Sequence, residues 1–461
     1  MENVTFSIGN LALIDKIDAR TGFLGKVFGN VGGRAQDFLP YVKLLLYNKL
    51  GNCDSISRLP DFTPSELASR MGFEGKVSRK QLYRTVERLG SQHAFVLANH
   101  QRFIKKLGLA NDPQFLDFSA AYFEGKESPL GALGYSRDGQ PGKLQITFGV
   151  SVGINGVPTT LTIQKGNTAD KKAMWRLVRL CAKILPRGAL LVFDCGGNTK
   201  KVKERVTELG FGYLTLKAKK RGAYAPLLQE FRNGKTMDVA YGSSAYSCLK
   251  TKSVNENVYV FYSRKLYDDQ MRKKARKFEK ALAEGKVLLK KVKRNKELDR
   301  RVCPEGLIVT RGSLQKMLAL DNPFVTGLEG FFALESSLDA DPVKILELYK
   351  NRDKAEKLIR DLKEGAELRP FRHWTENAVK GAVLLAFLAS ALARLTLLFT
   401  QNSLVKNLKL LKKYLVHLTL SIVRLKNGRK MMFASNFSDE MKALFGSFLQ
   451  KYVRTTLPEW A

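Results

Sequence analysis

Four residues of one short segment, YKNRDKAEKLIRDLK (349–363), have side chains able to do chemistry and a spacing that aligns them. Tyr349, Arg352, Glu356 and Lys363 stand 3, 4 and 7 residues apart in order. On a continuous α-helix they fall at roughly 0°, −60°, −20° and −40°, one narrow stripe. Ile345 and Ile359 lie on or near that stripe and mark it as inward. Two more acids lie far upstream in apolar surroundings. Asp117 sits inside PQFLDFSAAYF, and Asp194 ends ALLVFD. Three carboxylates gathered in a half-buried site would repel one another and would not stay ionised unaided. A divalent cation removes that conflict, and hard oxygen ligands suit Mg²⁺ or Mn²⁺. Two such ions about 4 Å apart can activate an attacking oxygen and stabilise a leaving one in a phosphodiester displacement. Arg352 and Lys363 would then meet nucleic-acid phosphates, and Tyr349 a base or a phosphate. An Arg352–Glu356 pair at i,i+4 that merely steadies the helix, by a few tenths of a kcal/mol, explains one pair and leaves Lys363 and the strand acids unexplained.

The elements that must position these acids are legible in outline. PQFLDFSAAYF reads as a strand. KLQITFGVSV, the turn Asn155-Gly156 and VPTTLTIQ read as a hairpin. A helix from about Ala169 to Ile184 follows, with Asp170 as a cap, then the apolar strand ALLVFD. NTKKVKERVTELG reads as a helix closed by Gly210, and FGYLTLK as another strand. The order β-β-β-α-β-α-β is that of a ribonuclease-H-like fold, in which strands one and four are neighbours. That adjacency would bring Asp117 and Asp194 together. The segment 349–363 lies on a helix expected to start at Asp341-Pro342 and run past Lys363.

Around this core the chain divides by texture. Residues 1–110 read as helical. Within them TPSELASRMG and VSRKQLYRTVERLG resemble a helix-turn-helix, with Ser78 as a cap and Arg79, Lys80 and Arg84 free to meet DNA. Residues 111–217 are the first part of the catalytic core, and 218–340 a β-rich insertion with a basic helical segment, DDQMRKKARKFEKALAEGKVLLKKVKRNKELDRR. Residues 341–395 return to the core with Glu356, and 396–461 read as a helical C-terminal region. The fold class expected is α/β.

Lys and Arg number 78 against 43 Asp and Glu, a net charge of +35, which draws polyanions and favours nucleic acid as a partner. Five scattered cysteines with no C-x-x-C argue against a disulfide framework or a structural zinc, and four scattered histidines form no metal motif. The N-terminus has no signal-peptide pattern. The run GAVLLAFLASALA (381–393) is shorter than the ~20 residues a membrane span needs and reads as a core helix.

At family level the sequence resembles insertion-sequence DDE transposases. Tyr349-(2)-Arg352-(3)-Glu356-(6)-Lys363 matches their Y-(2)-R-(3)-E-(6)-K signature. LDFSAAYFEG resembles the first-Asp block, and LGYSRDGQPGKLQITFGVSVGINGVPTTLTIQKGNTAD the hairpin segment. LLVFDCGGNT resembles the second-Asp block, and GFFALESSLDADPVKILELYKNRDKAEKLIRDLKEGAELRPFRHWTENAVKGAVLLAFLA the Glu block. The resemblance implies catalytic, metal-binding Asp117, Asp194 and Glu356 on a ribonuclease-H-like core, served by two Mg²⁺ or Mn²⁺ ions. It implies cleavage at transposon ends and strand transfer into target DNA, with double-stranded DNA, terminal inverted repeats and a homodimer as partners. It also implies a prokaryotic, cytoplasmic, nucleoid-associated setting with no membrane. A catalytically inactive DNA-binding relative and a nuclease without strand transfer are the alternatives. Two departures stand out. Ser119 replaces the usual Thr two places after the first Asp, and Cys195 replaces the Arg common after the second.

Overall fold

A computed structural model describes residues 3–452, apart from 32–34, 254–255, 284–286, 293–295, 304–305, 312–313, 319–321, 323, 402–406 and 425–429. The chain forms two compact units, Met1–Gly212 with Lys350–Ala461, and Tyr213–Tyr349.

The first unit is built on a sheet whose strands are buried almost throughout. Gln114–Tyr122 pairs antiparallel with Gln145–Gly153, which pairs antiparallel with Pro158–Lys165. The hairpin closes through Asn155-Gly156. Gly156 adopts φ +78°, which costs a glycine little, and the Asn155 Oδ1 accepts from the Val157 amide at 2.9 Å. The chain then crosses over through the helix Asp170–Cys181 and returns as Leu190–Phe193, parallel to Gln114–Tyr122. The parallel ladder runs Gln114↔Leu191, Phe115↔Val192, Leu116↔Phe193. Four consecutive apolar residues at 190–193, all buried, are what a strand covered on both faces requires.

Helices enclose this sheet. The longest, Glu376–Phe399, is long and apolar enough by composition to cross a membrane, yet 78% of its most apolar stretch is buried inside the fold. It packs on the strand Pro158–Lys165 and on the N-terminal helices Gly9–Thr21, Ala35–Lys49, Arg79–Ser91 and His93–Lys106. The approach of Arg79–Ser91 is backbone to backbone. A Cβ on Gly90 would stand 1.7 Å from the Asn377 carbonyl oxygen, and one on Gly381 2.1 Å from that of Val86. The N-terminal helices therefore belong to the same unit as the sheet.

Two segments read as helical from sequence contain strands. Thr419–Arg424 pairs with Lys430–Ser435 and with Val4–Ser7, giving a three-stranded antiparallel sheet. LTLSIVR has the alternation of a strand, with Leu420 and Ile422 buried, and one of its two partners lies at the other end of the sequence. In the insertion, the basic run is helical only over Arg264–Ala283 and continues as the paired strands Val287–Val292 and Lys296–Cys303.

The second unit has an antiparallel sheet ordered Gly212–Leu216, Phe331–Ser336, Glu256–Tyr262, Ser244–Ser253, Met237–Tyr241. Tyr224, Leu228, Leu249, Val258, Val260 and Ala333 form its core under the helix Arg221–Asn233. A separate four-stranded antiparallel sheet spans Val287 to Leu318. The unit ends on the helix Pro342–Lys350, whose start is capped as expected: Asp341 Oδ1 accepts from the Val343 amide at 2.8 Å.

Candidate active site

The sheet register brings the two aspartates side by side. Leu116 is paired with Phe193, and each acid is the next residue along its own chain. Asp117 lies inside its strand, and Asp194 leaves its strand through a tight turn in which the Gly197 amide bonds the Asp194 carbonyl at 3.1 Å. Each carboxylate is steadied by the amide that follows it, Phe118 N on Asp117 Oδ1 at 2.8 Å and Cys195 N on Asp194 Oδ1 at 2.7 Å. Beyond the turn, Thr199 caps the helix Lys200–Glu208 by accepting from Val202 N.

The third acid arrives on a helix that differs from the continuous one expected. The ladder stops at Lys350 and restarts after a turn at Asn351–Arg352 as Asp353–Arg360, which packs on the strands carrying Asp117 and its hairpin partner. There follows a π-helical turn, Asp361–Gly365, closed by Ala366 N on Asp361 O at 2.8 Å. The turn is fastened on several sides. Asp361 accepts from Arg394 Nη2 at 2.6 Å and from the Leu408 amide, Lys412 Nζ donates to the Gly365 carbonyl at 2.6 Å, and Lys49 Nζ to the Ala366 carbonyl at 3.0 Å.

Break and wide turn together disperse the stripe. Tyr349 is the last residue of the second unit. Arg352 meets Asp117 and Glu356: Nη1 lies 3.4 Å from Asp117 Oδ2, and Nη2 donates to Glu356. The Glu356 side chain is half exposed and that of Asp117 mostly buried. Lys363 turns inward instead of continuing toward Glu356. Its Nζ donates to Asp138 Oδ1 at 2.6 Å, an oxygen that also accepts from Arg369 Nη1 at 2.6 Å. Wheel geometry places Glu356 and Lys363 on one face only where the turn keeps its α spacing, and the π turn shifts whatever follows it.

Electrostatics mark the site as one that wants positive charge. Burial pushes Asp117 up to about 6, and Glu356 and Asp194 push in the same direction, opposed by the Arg352 guanidinium and the Phe118 amide. Both other carboxylates therefore act on Asp117. Among the described residues no group of three or more His, Cys, Asp or Glu stands arranged to hold a metal. The carboxylates of Asp117, Asp194 and Glu356 are hard oxygen donors, the kind that Mg²⁺ or Mn²⁺ takes. Burial and the neighbouring Asp194 raise the Cys195 thiol, the opposite of what activates a cysteine.

Arg137, Asp138 and Asp170 were not anticipated by sequence as neighbours of these acids. Arg137 and Asp138 lie in YSRDGQ, a glycine-containing connection with no periodicity to assign its side chains. Asp170 caps nothing: Ala169 occupies the cap position, and both Asp170 oxygens accept from Arg137 Nη2, at 2.5 and 2.6 Å. Asp117, Asp194, Arg137, Asp170, Gly196 and Gly197 all line one cleft of about 220 Å³.

The basic helix Arg79–Ser91 forms as its pattern predicts, with Ser78 accepting from Gln81 N and Leu82, Val86 and Leu89 buried. Arg79, Lys80 and Arg84 are exposed on its outer side. The connection from the helix Ser65–Met71 runs from Gly72 to Ser78, longer than the three or four residues of a helix-turn-helix turn. Arg84, Arg88, Lys43 and Lys76 line a broad cleft of about 1070 Å³ with Phe38, Tyr41 and Phe73.

The family model for the transposase DDE domain matches residues 134–392, more than half of the chain. The chain belongs to the DDE transposase family. The match takes in Asp194, Arg352, Glu356 and Lys363 and starts downstream of Asp117. Among solved structures, a piggyBac transposase synaptic complex with hairpin DNA is similar to this DDE transposase over 98% of this chain and 82% of the other, with 8% sequence identity and a TM-score of 0.44. No curated protein matches. Membership of the family makes the chain a DNA transposase, of a kind that generally works with divalent metal ions.

Proposed function

We propose that this transposase cuts DNA at the ends of its element and joins the freed ends to a target, with Asp117, Asp194 and Glu356 as its catalytic carboxylates. The observation that carries the reading is the parallel register Leu116↔Phe193, one residue before both aspartates, together with the single guanidinium of Arg352 shared by Asp117 and Glu356. The four-stranded order of the first unit supports a ribonuclease-H-like core, and the residue spacing from Tyr349 to Lys363 supports the Tyr-Arg-Glu-Lys group.

Asp117 and Asp194 would hold the divalent ions, and Glu356 would join them by leaving Arg352. Two bound Mg²⁺ or Mn²⁺ ions would supply charge neutralisation at the attacking and leaving oxygens of the phosphodiester. Water attacks the phosphorus at the element's end, the P–O3′ bond breaks, and the 3′ oxygen leaves as a hydroxyl. In strand transfer that 3′ oxygen attacks a target phosphodiester, whose own 3′ oxygen leaves. Arg352, released from the acids, becomes a cation for the incoming phosphate. The exposed Arg79, Lys80 and Arg84, and Tyr349, would hold DNA away from the cut, and the active assembly would be a homodimer on paired inverted repeats. The setting would be the prokaryotic cytoplasm, at the nucleoid.

The test incubates purified protein with duplexes carrying the element's ends, in Mg²⁺ or EDTA, beside Asp194→Ala and Glu356→Ala. Mg²⁺-dependent nicking that both variants lose while their gel shifts persist is the expected result. Binding without cleavage in the unaltered protein would leave a DNA-binding relative. Cleavage without 3′-end joining would leave a nuclease.

A further inference from the structure

The resemblance to other transposases leaves one contact missing, because Cys195 stands where an arginine commonly follows the second aspartate. The cleft beside Asp194 has a guanidinium from elsewhere. Arg137 enters it from the connection between the first two strands, and its side chain stays about a quarter exposed. Only Nη2 is engaged, by the two oxygens of Asp170. Among the described residues Nη1 and Nε donate to no protein group.

The guanidinium is held from two sides. Asp170 presses against the turn after Asp194, since a Cβ on Gly196 would stand 2.8 Å from Asp170 Oδ2. The residue after Arg137 is fixed as well: the carboxylate of Asp138, 3% exposed, lies between Lys363 and Arg369. The cleft therefore contains a pre-positioned guanidinium with free donors on Nη1, next to carboxylates that would otherwise repel a phosphate. A partly exposed ion pair that served stability alone would contribute about 1 kcal/mol and would not need a glycine cleared for it.

We infer that Arg137 is a phosphate-binding residue of the active site: it receives one DNA phosphodiester beside the cut, with Asp170 as the group that orients it. The ligand chemistry is a phosphodiester monoanion, one non-bridging oxygen of which accepts from Nη1, the terminal nitrogen that Asp170 leaves open. The inference rests on the proposed catalytic reading, because it is that reading that puts the cut in this cleft.

The experiment replaces single phosphates across the element's end with neutral methylphosphonates and measures single-turnover cleavage by the unaltered protein, Arg137→Gln and Arg137→Lys. Expected is one position at which the methylphosphonate slows the unaltered protein about tenfold or more, the size of a lost charged hydrogen bond. Arg137→Gln should be equally slow on all-phosphate DNA and indifferent to that one replacement, with Arg137→Lys between the two. Losses that add at every position would overturn the inference, as would cleavage by Arg137→Gln at the unaltered rate. Absence of cleavage by the unaltered protein would instead count against the catalytic reading. The same duplex series, read by fluorescence anisotropy, then decides Arg137: one position of non-additive binding supports it, and additivity throughout overturns it. A thermal midpoint for Arg137→Gln close to that of the unaltered protein separates the lost contact from misfolding.

Discussion

The two aspartates and the glutamate reach the same site by different means. Asp117 and Asp194 are placed by main-chain hydrogen bonds: a parallel ladder ends immediately before both, and an adjacent amide steadies each carboxylate. Glu356 is placed by side chains. Its helix is bounded by a break and a π turn, and the turn is tied down by Asp361–Arg394, Asp138–Lys363–Arg369, Lys412 and Lys49. A ladder allows a strand residue little travel, whereas a helix held through side chains can turn about its tethers. The half of the site built on the sheet is thus the more tightly held, and the half built on the helix the more adjustable, which suits the proposed exchange of Arg352 by Glu356 for another positive partner.

The sharpest way to break this contrast is to cut a tether. Asp138→Asn leaves Lys363 with its buried ammonium and no carboxylate, and a buried pair broken from one side costs roughly 3 kcal/mol. An unfolding free energy in urea lowered by that amount is expected, with end cleavage falling further than DNA binding. Lys363→Met, which leaves Asp138 with Arg369, should cost less. If Lys363 served DNA phosphates directly, its loss would reduce the salt dependence of DNA binding by about one contact, and Asp138→Asn would not share its phenotype.

A second variant tests the fixed half. Asp117 is pushed up to about 6 from an ordinary 3.8, so the folded state keeps its proton where the unfolded chain has released it. Its contribution to stability is full below about pH 4 and is lost as pH rises through 6. Asp117→Asn should therefore raise the unfolding free energy of the metal-free protein at pH 7 to 8 by on the order of 1–2 kcal/mol, and bring no gain near pH 4. Equal effects at both pH values would mean that the carboxylate is not confined as the sheet register implies.

The smallest expected effect lies in the hairpin supporting the ladder. Gly156→Ala puts a side chain at φ +78° and should cost about 1 kcal/mol in chemical denaturation, with cleavage rates unchanged. A loss of cleavage there would show that the sheet half is adjustable too.

Much of the site was legible because its signals are local. PQFLDFSAAYF and ALLVFD have the apolar texture of buried strands, Asn155-Gly156 supplies its turn chemistry, and Asp341-Pro342 and Ser78 announce helix starts, all of which form. The stripe from Tyr349 to Lys363 was legible as a pattern and misleading as geometry. Nothing in EKLIRDLKEG announces a π turn, because the groups that fasten it, Asp138, Arg394, Lys412 and Lys49, come from four distant segments. The strand Thr419–Arg424 was missed in part for the same reason, since Val4–Ser7 pairs with one of its edges.

By itself, then, the sequence determined which acids stand at strand ends and on a helix, the basic character of the surfaces, and the family, because each depends on residue type and short spacing. Only the tertiary structure decided that Arg352 bridges Asp117 and Glu356, that Lys363 is spent on Asp138, and that Arg137 stands in the cleft of the aspartates. The physical reason is that a charged side chain takes whichever opposite charge the fold brings within hydrogen-bond reach, and chain distance carries no record of that choice.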